Sequence, residues 1–332
     1  MKILYAIQGT GNGHIARAED IIPVLKNYGE LELLVSGAQS DLKLPFPVTY
    51  KSKGLSFYFG KKGGVDLVKT FRKNKSKDVY KEIKKFPVEK YDVVINDFEP
   101  ITAWACRKKG VPCIALSHQS ALLSPKCPKP KFHDIMGDWI LKNYAPADAA
   151  VGFHFSCFDD NIFTPVIRKK IRDLEISDAG HYTVYLPAYD DKKLVPILSK
   201  ITDVHWQVFS KHARKTYRTG KVFVRPVNNT DFTVSMASST GILCGAGFET
   251  PAEALYLNKK LMVVPMKGQY EQHYNAAALD KMGVPILKKF KSKNLDKIIS
   301  WVENPHKVAV DYGNITEQAV ERAMSLVDLI RR

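Results

Sequence analysis

The chain has 332 residues, 45% hydrophobic and 11% aromatic, and its 50 Lys/Arg against 34 Asp/Glu give a formal net charge of +16. That length exceeds one ordinary hydrophobic core and implies two domains of roughly 150 residues, while the composition excludes disordered and low-complexity classes. Five scattered cysteines without a CxxC pair exclude a disulfide framework or structural zinc site and fit a reduced, cytoplasmic protein, and no apolar run reaches the ~18 residues of a membrane span.

Residues 2–7 form a continuous apolar run that ends in Gly9-Thr10-Gly11-Asn12-Gly13, after which Ile15, Ala18, Ile22 and Leu25 recur at helical spacing. A glycine turn in place of a small-residue cleavage site makes the first eight residues a strand rather than a signal peptide. Further strands are expected at 31–36, 91–96 and 112–117, with a helix over 101–109. This alternation predicts a doubly wound parallel sheet whose ligands sit at the carboxyl ends of the strands.

The stretch from His118 to about Asp178 is less regular and carries Pro125, Pro128 and Pro130, which marks it as the region between domains. The pattern then restarts, with strands at 182–186, 203–209 and 241–244, a helix at 192–200, and an amphipathic helix over 315–332. The expected organisation is α/β throughout. Residues 1–160 and 161–312 form two Rossmann-like domains, and a last helix over 313–332 folds back on the first.

A glycine turn between strand and helix aims backbone N–H groups and the positive helix end at an anion. Gly11-x-Gly13-x-x-Ala16 satisfies the dinucleotide fingerprint, yet the second strand ends Val35-Ser36-Gly37-Ala38 with no acid for a ribose, so a nicotinamide cofactor is not expected. His14 opens the following helix, where an imidazole can serve as a general base or merely cap the helix. Asp97 stands at the same carboxyl edge and can orient that imidazole, or cap the helix beginning near Pro100; Glu99 competes for the orienting role.

The densest motif runs Gly241-Ile-Leu-Cys-Gly245-Ala-Gly247-Phe248-Glu-Thr250-Pro-Ala-Glu253 and continues through Val263-Val264-Pro265 to Gln269-Tyr-Glu271-Gln272-His-Tyr-Asn275-Ala276. A glycine turn at a helix N-terminus suits a diphosphate, Glu253 can accept two hydrogen bonds from a ribose diol, and Glu271, Gln272 and Asn275 offer the directional groups that sugar hydroxyls require. This stretch resembles the donor-binding signature of the GT-B glycosyltransferases, including the plant and mammalian nucleotide-sugar transferases and the bacterial peptidoglycan N-acetylglucosaminyltransferase. Gly9 to His14 looks like the acceptor-side glycine loop and base of those enzymes, with Asp97 similar to the aspartate that pairs with the base. Arg168 is similar, after a one-residue shift, to a phosphate-contacting arginine of the peptidoglycan enzyme.

The resemblance implies a GT-B fold, with two doubly wound sheets facing a central cleft. It also implies inverting transfer of a hexosyl or N-acetylhexosaminyl group from a UDP-sugar cosubstrate, with no cofactor or metal required and no Asp-x-Asp motif present to hold one. Gly247, Phe248 and Thr250 would then lie against the diphosphate, Glu253 on the ribose, and Glu271 and Gln272 on the sugar; Gly9, Gly11 and Gly13 would form the acceptor loop. The sequence departs at Gly245, which stands where many relatives of that kind carry a phosphate-binding histidine, so that Thr250, Arg168, backbone amides or the hydroxyls of Ser238, Ser239 and Thr240 must serve instead. A nucleotide-sugar 2-epimerase on the same fold is the rival enzyme.

Residues 61–85 hold ten bases (Lys61, Lys62, Lys69, Arg72, Lys73, Lys75, Lys77, Lys81, Lys84, Lys85) against three acids. With Phe71 and Tyr80 its only aromatics, the patch does not read as a nucleic-acid site. An anionic membrane at the inner face, met by these lysines beside Leu55, Phe57, Tyr58 and Phe59, would bring a lipid-linked or glycan acceptor to the enzyme; a solvated basic loop is the alternative.

Overall fold

The computed structural model describes residues 1–10, 12–37, 44–54, 76–131 and 135–331. Expectations that fall on Gly11, on the basic patch before Ser76, and on Leu55, Phe57, Tyr58 and Phe59 lie outside the described residues. In chain order the elements are β1 (Lys2–Gln8), α1 (Asn12–Leu25), β2 (Glu30–Ser36), β3 (Tyr50–Ser52), α2 (Ser76–Lys85), β4 (Val93–Asp97), α3 (Pro100–Lys109), β5 (Cys113–Ser117), α4 (His118–Leu122), α5 (Ile135–Asn143), β6 (Ala149–Phe153) and β7 (Ile162–Phe163). They continue with α6 (Lys169–Arg172), β8 (His181–Tyr185), α7 (Asp191–Leu198), β9 (His205–Ser210), β10 (Tyr217–Thr219), β11 (Val222–Pro226), α8 (Asn229–Ser238), β12 (Gly241–Gly245), α9 (Glu249–Tyr256), β13 (Lys260–Val264), α10 (Tyr270–Lys281), α11 (Leu295–Glu303) and α12 (Thr316–Arg331).

Two compact units result. The first comprises Met1–Cys127, Phe132–Arg168 and Tyr312–Arg332, and the second Pro128–Lys131 and Lys169–Asp311. The first is built on a seven-stranded sheet of order β3-β2-β1-β4-β5-β6-β7, every pair parallel. Strands covered on both faces must be apolar throughout, and β4 and β5 are buried at every position. The closing helix α12 packs on α1, β5 and β6 through an apolar stripe that includes Ala319, Val320, Ala323 and Val327.

The proline-bearing stretch after His118 holds the boundary between the units, after Arg168, and its Pro128–Lys131 segment counts with the second unit, but it is not irregular throughout. It supplies α4, α5, β6 and β7, and the first unit runs on to Arg168. Gly152 explains one part of the packing: a β carbon there would come 2.7 Å from the Ala121 nitrogen, so glycine is what lets α4 lie on β6.

The second unit has a six-stranded sheet of order β10-β11-β9-β8-β12-β13, parallel except for the edge hairpin β10–β11. Its core includes Leu194, Val208, Leu243, Met262 and an aromatic group in which the Tyr182 ring lies 5.1 Å from that of Trp301 and 5.4 Å from that of Trp206. Among the described residues no helix is long and apolar enough to cross a membrane.

Candidate functional site

In the first unit, β1 and β4 are neighbours with Ile7 opposite Asp97, so the turn after β1 and the end of β4 emerge side by side at the carboxyl edge. Gly9 is required here by packing. A β carbon would sit 2.9 Å from Val35 Cγ1, and its own N–H donates to the Ser36 carbonyl rather than toward a ligand. Gly13 lies in the first turn of α1 and His14 follows it, with 14% of its side chain exposed.

His14 Nδ1 meets Asp97 Oδ1 at 2.8 Å. Read with Nδ1 as donor, this leaves Nε2 as the acceptor, and Gln119 Nε2 on α4 stands 3.4 Å from it. Asp97 is fully buried, and both of its oxygens are 2.8 Å from Arg17 Nη2. Burial alone would raise the carboxyl, but the Arg17 guanidinium, then His14, hold it below the usual carboxylate value. Arg17 Nη2 also lies 3.2 Å from His14 Nδ1, so guanidinium, carboxylate and imidazole form one compact cluster.

Glu99 does not orient the imidazole, nor does Asp97 cap α3. Glu99 is itself the N-cap: it accepts from the Ile101 and Thr102 amides at 2.9 and 2.7 Å and from the Thr102 hydroxyl at 2.6 Å. Burial, opposed by these bonds, raises its carboxyl. Phe98 makes this division possible, because its φ of 58° turns the chain so that consecutive acids face different partners. Nearby, Gln8 Nε2 donates to the Tyr144 hydroxyl at 2.7 Å, and the Tyr144 ring lies 4.9 Å from that of Phe98.

Arg17 and Gln119 were not among the expected site residues. The signal for Arg17 was its place three residues after His14, on the same face of the helix. Gln119 carried no local signal.

In the second unit, β12 pairs with β13 so that Gly245 faces Val264, and the glycine turn and the loop after Pro265 leave the sheet together. Gly247 is open: a β carbon there has no heavy atom within 4 Å. Helix α9 starts after Phe248, which makes no side-chain cap hydrogen bond, and Glu249 and Thr250 are partly exposed in its first turn. Glu253 sits one turn on, only 2% exposed.

The loop residues divide into braces and exposed groups. Gln272 Oε1 accepts from the Met266 amide at 3.0 Å and its Nε2 reaches Gln269 at 3.2 Å. Asn275 is fully buried and donates to the Ala246 carbonyl at 3.1 Å, so it braces the glycine turn from below. Glu271 is partly exposed at the start of α10.

The hydroxyls of Ser238, Ser239 and Thr240 do not join this edge. They precede β12 at its amino end, where Ser238 and Ser239 bond the Val234 and Met236 carbonyls and Thr240 bonds Asp178 at 2.6 Å. Five residues of strand separate them from the turn. Arg168 belongs to the first unit, 6% exposed. Among the described residues no group of three His, Cys, Asp or Glu side chains is arranged to hold a metal ion.

The family model described as glycosyl transferase family 1 matches residues 1–304. No curated protein sequence matches the chain. Among solved structures, the MurG of Acinetobacter baumannii superposes with a TM-score of 0.57 at 15% identity, covering 100% of this chain and 99% of that one. Phytolacca americana UGT2, complexed with UDP-2fluoro-glucose and pterostilbene, gives 0.58 at 14% identity with 100% and 95% covered. Arabidopsis thaliana UGT89C1, complexed with UDP-L-rhamnose, gives 0.59 at 13% identity with 99% of each chain covered. Both parallel-sheet units are thus those of the GT-B fold.

Proposed function

The chain belongs to glycosyl transferase family 1, and from that premise we propose that it moves a hexosyl or N-acetylhexosaminyl group from a UDP-sugar to an acceptor hydroxyl with inversion. The acceptor O–H gives its proton to His14 Nε2 as its oxygen attacks the anomeric carbon, and the bond to the diphosphate breaks. Asp97 stays anionic and faces the imidazolium as it forms. The departing diphosphate lies at the Gly245–Gly247 turn and the start of α9, where amide dipoles rather than a metal meet its charge. Glu253 takes the ribose, and Glu271 with the loop braced by Gln272 takes the sugar.

The observation that carries this reading is the 2.8 Å bond between His14 Nδ1 and the buried Asp97, which, with Nδ1 as donor, leaves Nε2 as the accepting nitrogen of a side chain that is 14% exposed. A thermal-shift panel of nucleoside diphosphates and their sugars tests the donor, since a ligand bound only by the folded state raises its stability. UDP-sugars should stand out, and a flat panel would remove the donor assignment. His14→Ala should cost about 10²- to 10⁴-fold in rate. Conversion of the donor with no acceptor present would mark a 2-epimerase instead.

For the acceptor, a lipid-linked substrate met at an anionic membrane surface is favoured by one feature of the described residues. Exposed Lys81, Lys84 and Lys85 of α2 stand beside Arg107 and Lys108 of the adjoining α3, with Lys108 Nζ 3.1 Å from the Tyr80 hydroxyl. Salt-sensitive sedimentation with anionic vesicles is the expected result, and no binding at low salt would end this part of the proposal.

A further inference from the structure

Arg17 is 1% exposed, one of the largest fully buried side chains, and contacts the Asp97 of a site for which the proposed chemistry asks only a histidine and an aspartate. A guanidinium stays charged under all ordinary conditions, so its burial needs a compensating purpose as well as a compensating partner. It has the partner in Asp97: one nitrogen, Nη2, lies 2.8 Å from each carboxylate oxygen. The guanidinium carbon of Arg17 lies 5.5 Å from the centre of the Phe153 ring.

We infer that Arg17 is a positioning residue of this site: it fixes the Asp97 carboxylate and, through it, the ring orientation and tautomer of His14. The inference rests on the proposed role of His14 as base. A buried carboxyl left to itself tends toward its protonated form, which cannot accept the Nδ1–H of an imidazole while its own proton points that way. The ring would then be free to take the other tautomer, with Nε2 protonated and unable to accept from a substrate. By bridging both oxygens, Nη2 keeps Asp97 anionic and leaves Oδ1 a direction free for His14.

Among the described residues, the charged groups that bond Asp97 are His14 and Arg17, both from α1; Glu99, beyond it in the chain, is committed to α3. Gln8 on β1, Asn96 on β4 and Gln119 on α4 are neutral, Tyr144 is a phenol whose ionisation burial opposes, and His118 turns Nδ1 to the Phe153 carbonyl at 2.8 Å.

The test uses the full chain and needs one readout that is independent of activity. In wild type, 15N imidazole spectra should show His14 as the Nδ1–H tautomer at neutral pH, and the 13C signal of the Asp97 carboxyl should stay that of an anion through the ordinary carboxylate range. In Arg17→Met the tautomers should mix, kcat near pH 6 should fall at least tenfold and partly recover toward pH 9, and KM for the donor should hold. Arg17→Lys, which keeps the charge but not the bridge, should lie between.

Three results would each overturn the inference: a wild-type His14 in the other tautomer, an Asp97 that titrates at or above the usual range, or a folded Arg17→Met with unchanged kcat and pH profile. The two wild-type measurements stand even where Arg17→Met fails to fold. Absence of any sugar transfer would refute the proposed function and leave the tautomer and carboxyl readings to judge Arg17 separately.

Discussion

Gly247→Ala separates the donor reading from the stability of the fold. A β carbon at this position has no heavy atom within 4 Å, and the backbone lies outside the left-handed region that only glycine favours. The added methyl should therefore change stability by no more than about 0.5 kcal/mol, or raise it slightly by restricting the unfolded chain. Its effect on a bound diphosphate is different. Phosphate oxygens hydrogen-bond an amide at about 2.9 Å, whereas a methyl carbon holds neighbours to about 3.5 Å or more. Losing one hydrogen bond to a charged group costs about 1.5–3 kcal/mol, and each 1.4 kcal/mol is tenfold in Kd, so UDP-sugar binding should weaken by about 10- to 150-fold. Calorimetric titration beside a melting curve reads both quantities on one sample. Gly245→Ala is the companion variant, because there the methyl meets Gln272 Oε1 at 3.9 Å, an ordinary contact. Wild-type UDP-sugar affinity in Gly247→Ala would place the diphosphate elsewhere, and a large drop in melting temperature would show that the open space had been misjudged.

Asp97→Ala leaves Arg17 buried without its carboxylate and should cost about 3–5 kcal/mol, most of it recovered in Asp97→Ala with Arg17→Met; urea unfolding followed at Trp104 and Trp139, both in the first unit, measures the pair. Because Asp97 in the fold lies below its ordinary 3.8, the stability it contributes is present above that value and disappears as pH falls through the folded one. Wild type should accordingly lose stability below about pH 4 more steeply than Asp97→Asn, and equal slopes in acid denaturation would contradict the shift. Glu99→Ala removes a buried N-cap and should cost about 2 kcal/mol while leaving kcat nearly intact, the reverse of what an orienting carboxylate would do. Cys157 is the exposed thiol and the other four are buried, so a thiol reagent should label one group per native chain, slowly at neutral pH because partial burial raises that thiol, and faster as pH rises.

The strands that position the site were legible because parallel strands buried on both faces must read as unbroken apolar runs, and β1, β4, β5 and β12 do. The pairing of His14 with Asp97 was legible for the same reason, since both stand where such runs end. Strands β6 and β7 were not, because one contains Gly152 and Ala149-Ala150 and the other has two residues, too little pattern to rise above the prolines around them. Which acid caps α3 was also hidden. It depends on the left-handed turn at Phe98, and bulky residues rarely announce that conformation in sequence.

Arg17, and the buried bracing contact of Asn275, were concealed for a deeper reason. Each is polar, each sits on a helix, and a polar residue on a helix ordinarily faces water. Their partners come from segments distant in sequence: Asp97 lies 80 residues from Arg17, and Ala246 lies 29 from Asn275. Local pattern cannot encode such a contact, whereas the burial of both residues is a direct consequence of it. The two also differ in kind, and the difference follows the chemistry proposed for each unit. A base must gain and lose a proton in a fixed orientation, so the first unit invests in a charged brace, Arg17 on Asp97. A diphosphate brings its own charge and needs only N–H dipoles held in place, so a neutral brace, Asn275 on the Ala246 carbonyl, suffices under the turn. Under the proposed donor role, a glycine at 245 in place of a phosphate-binding histidine would leave recognition to the backbone that Asn275 holds rather than to a side chain.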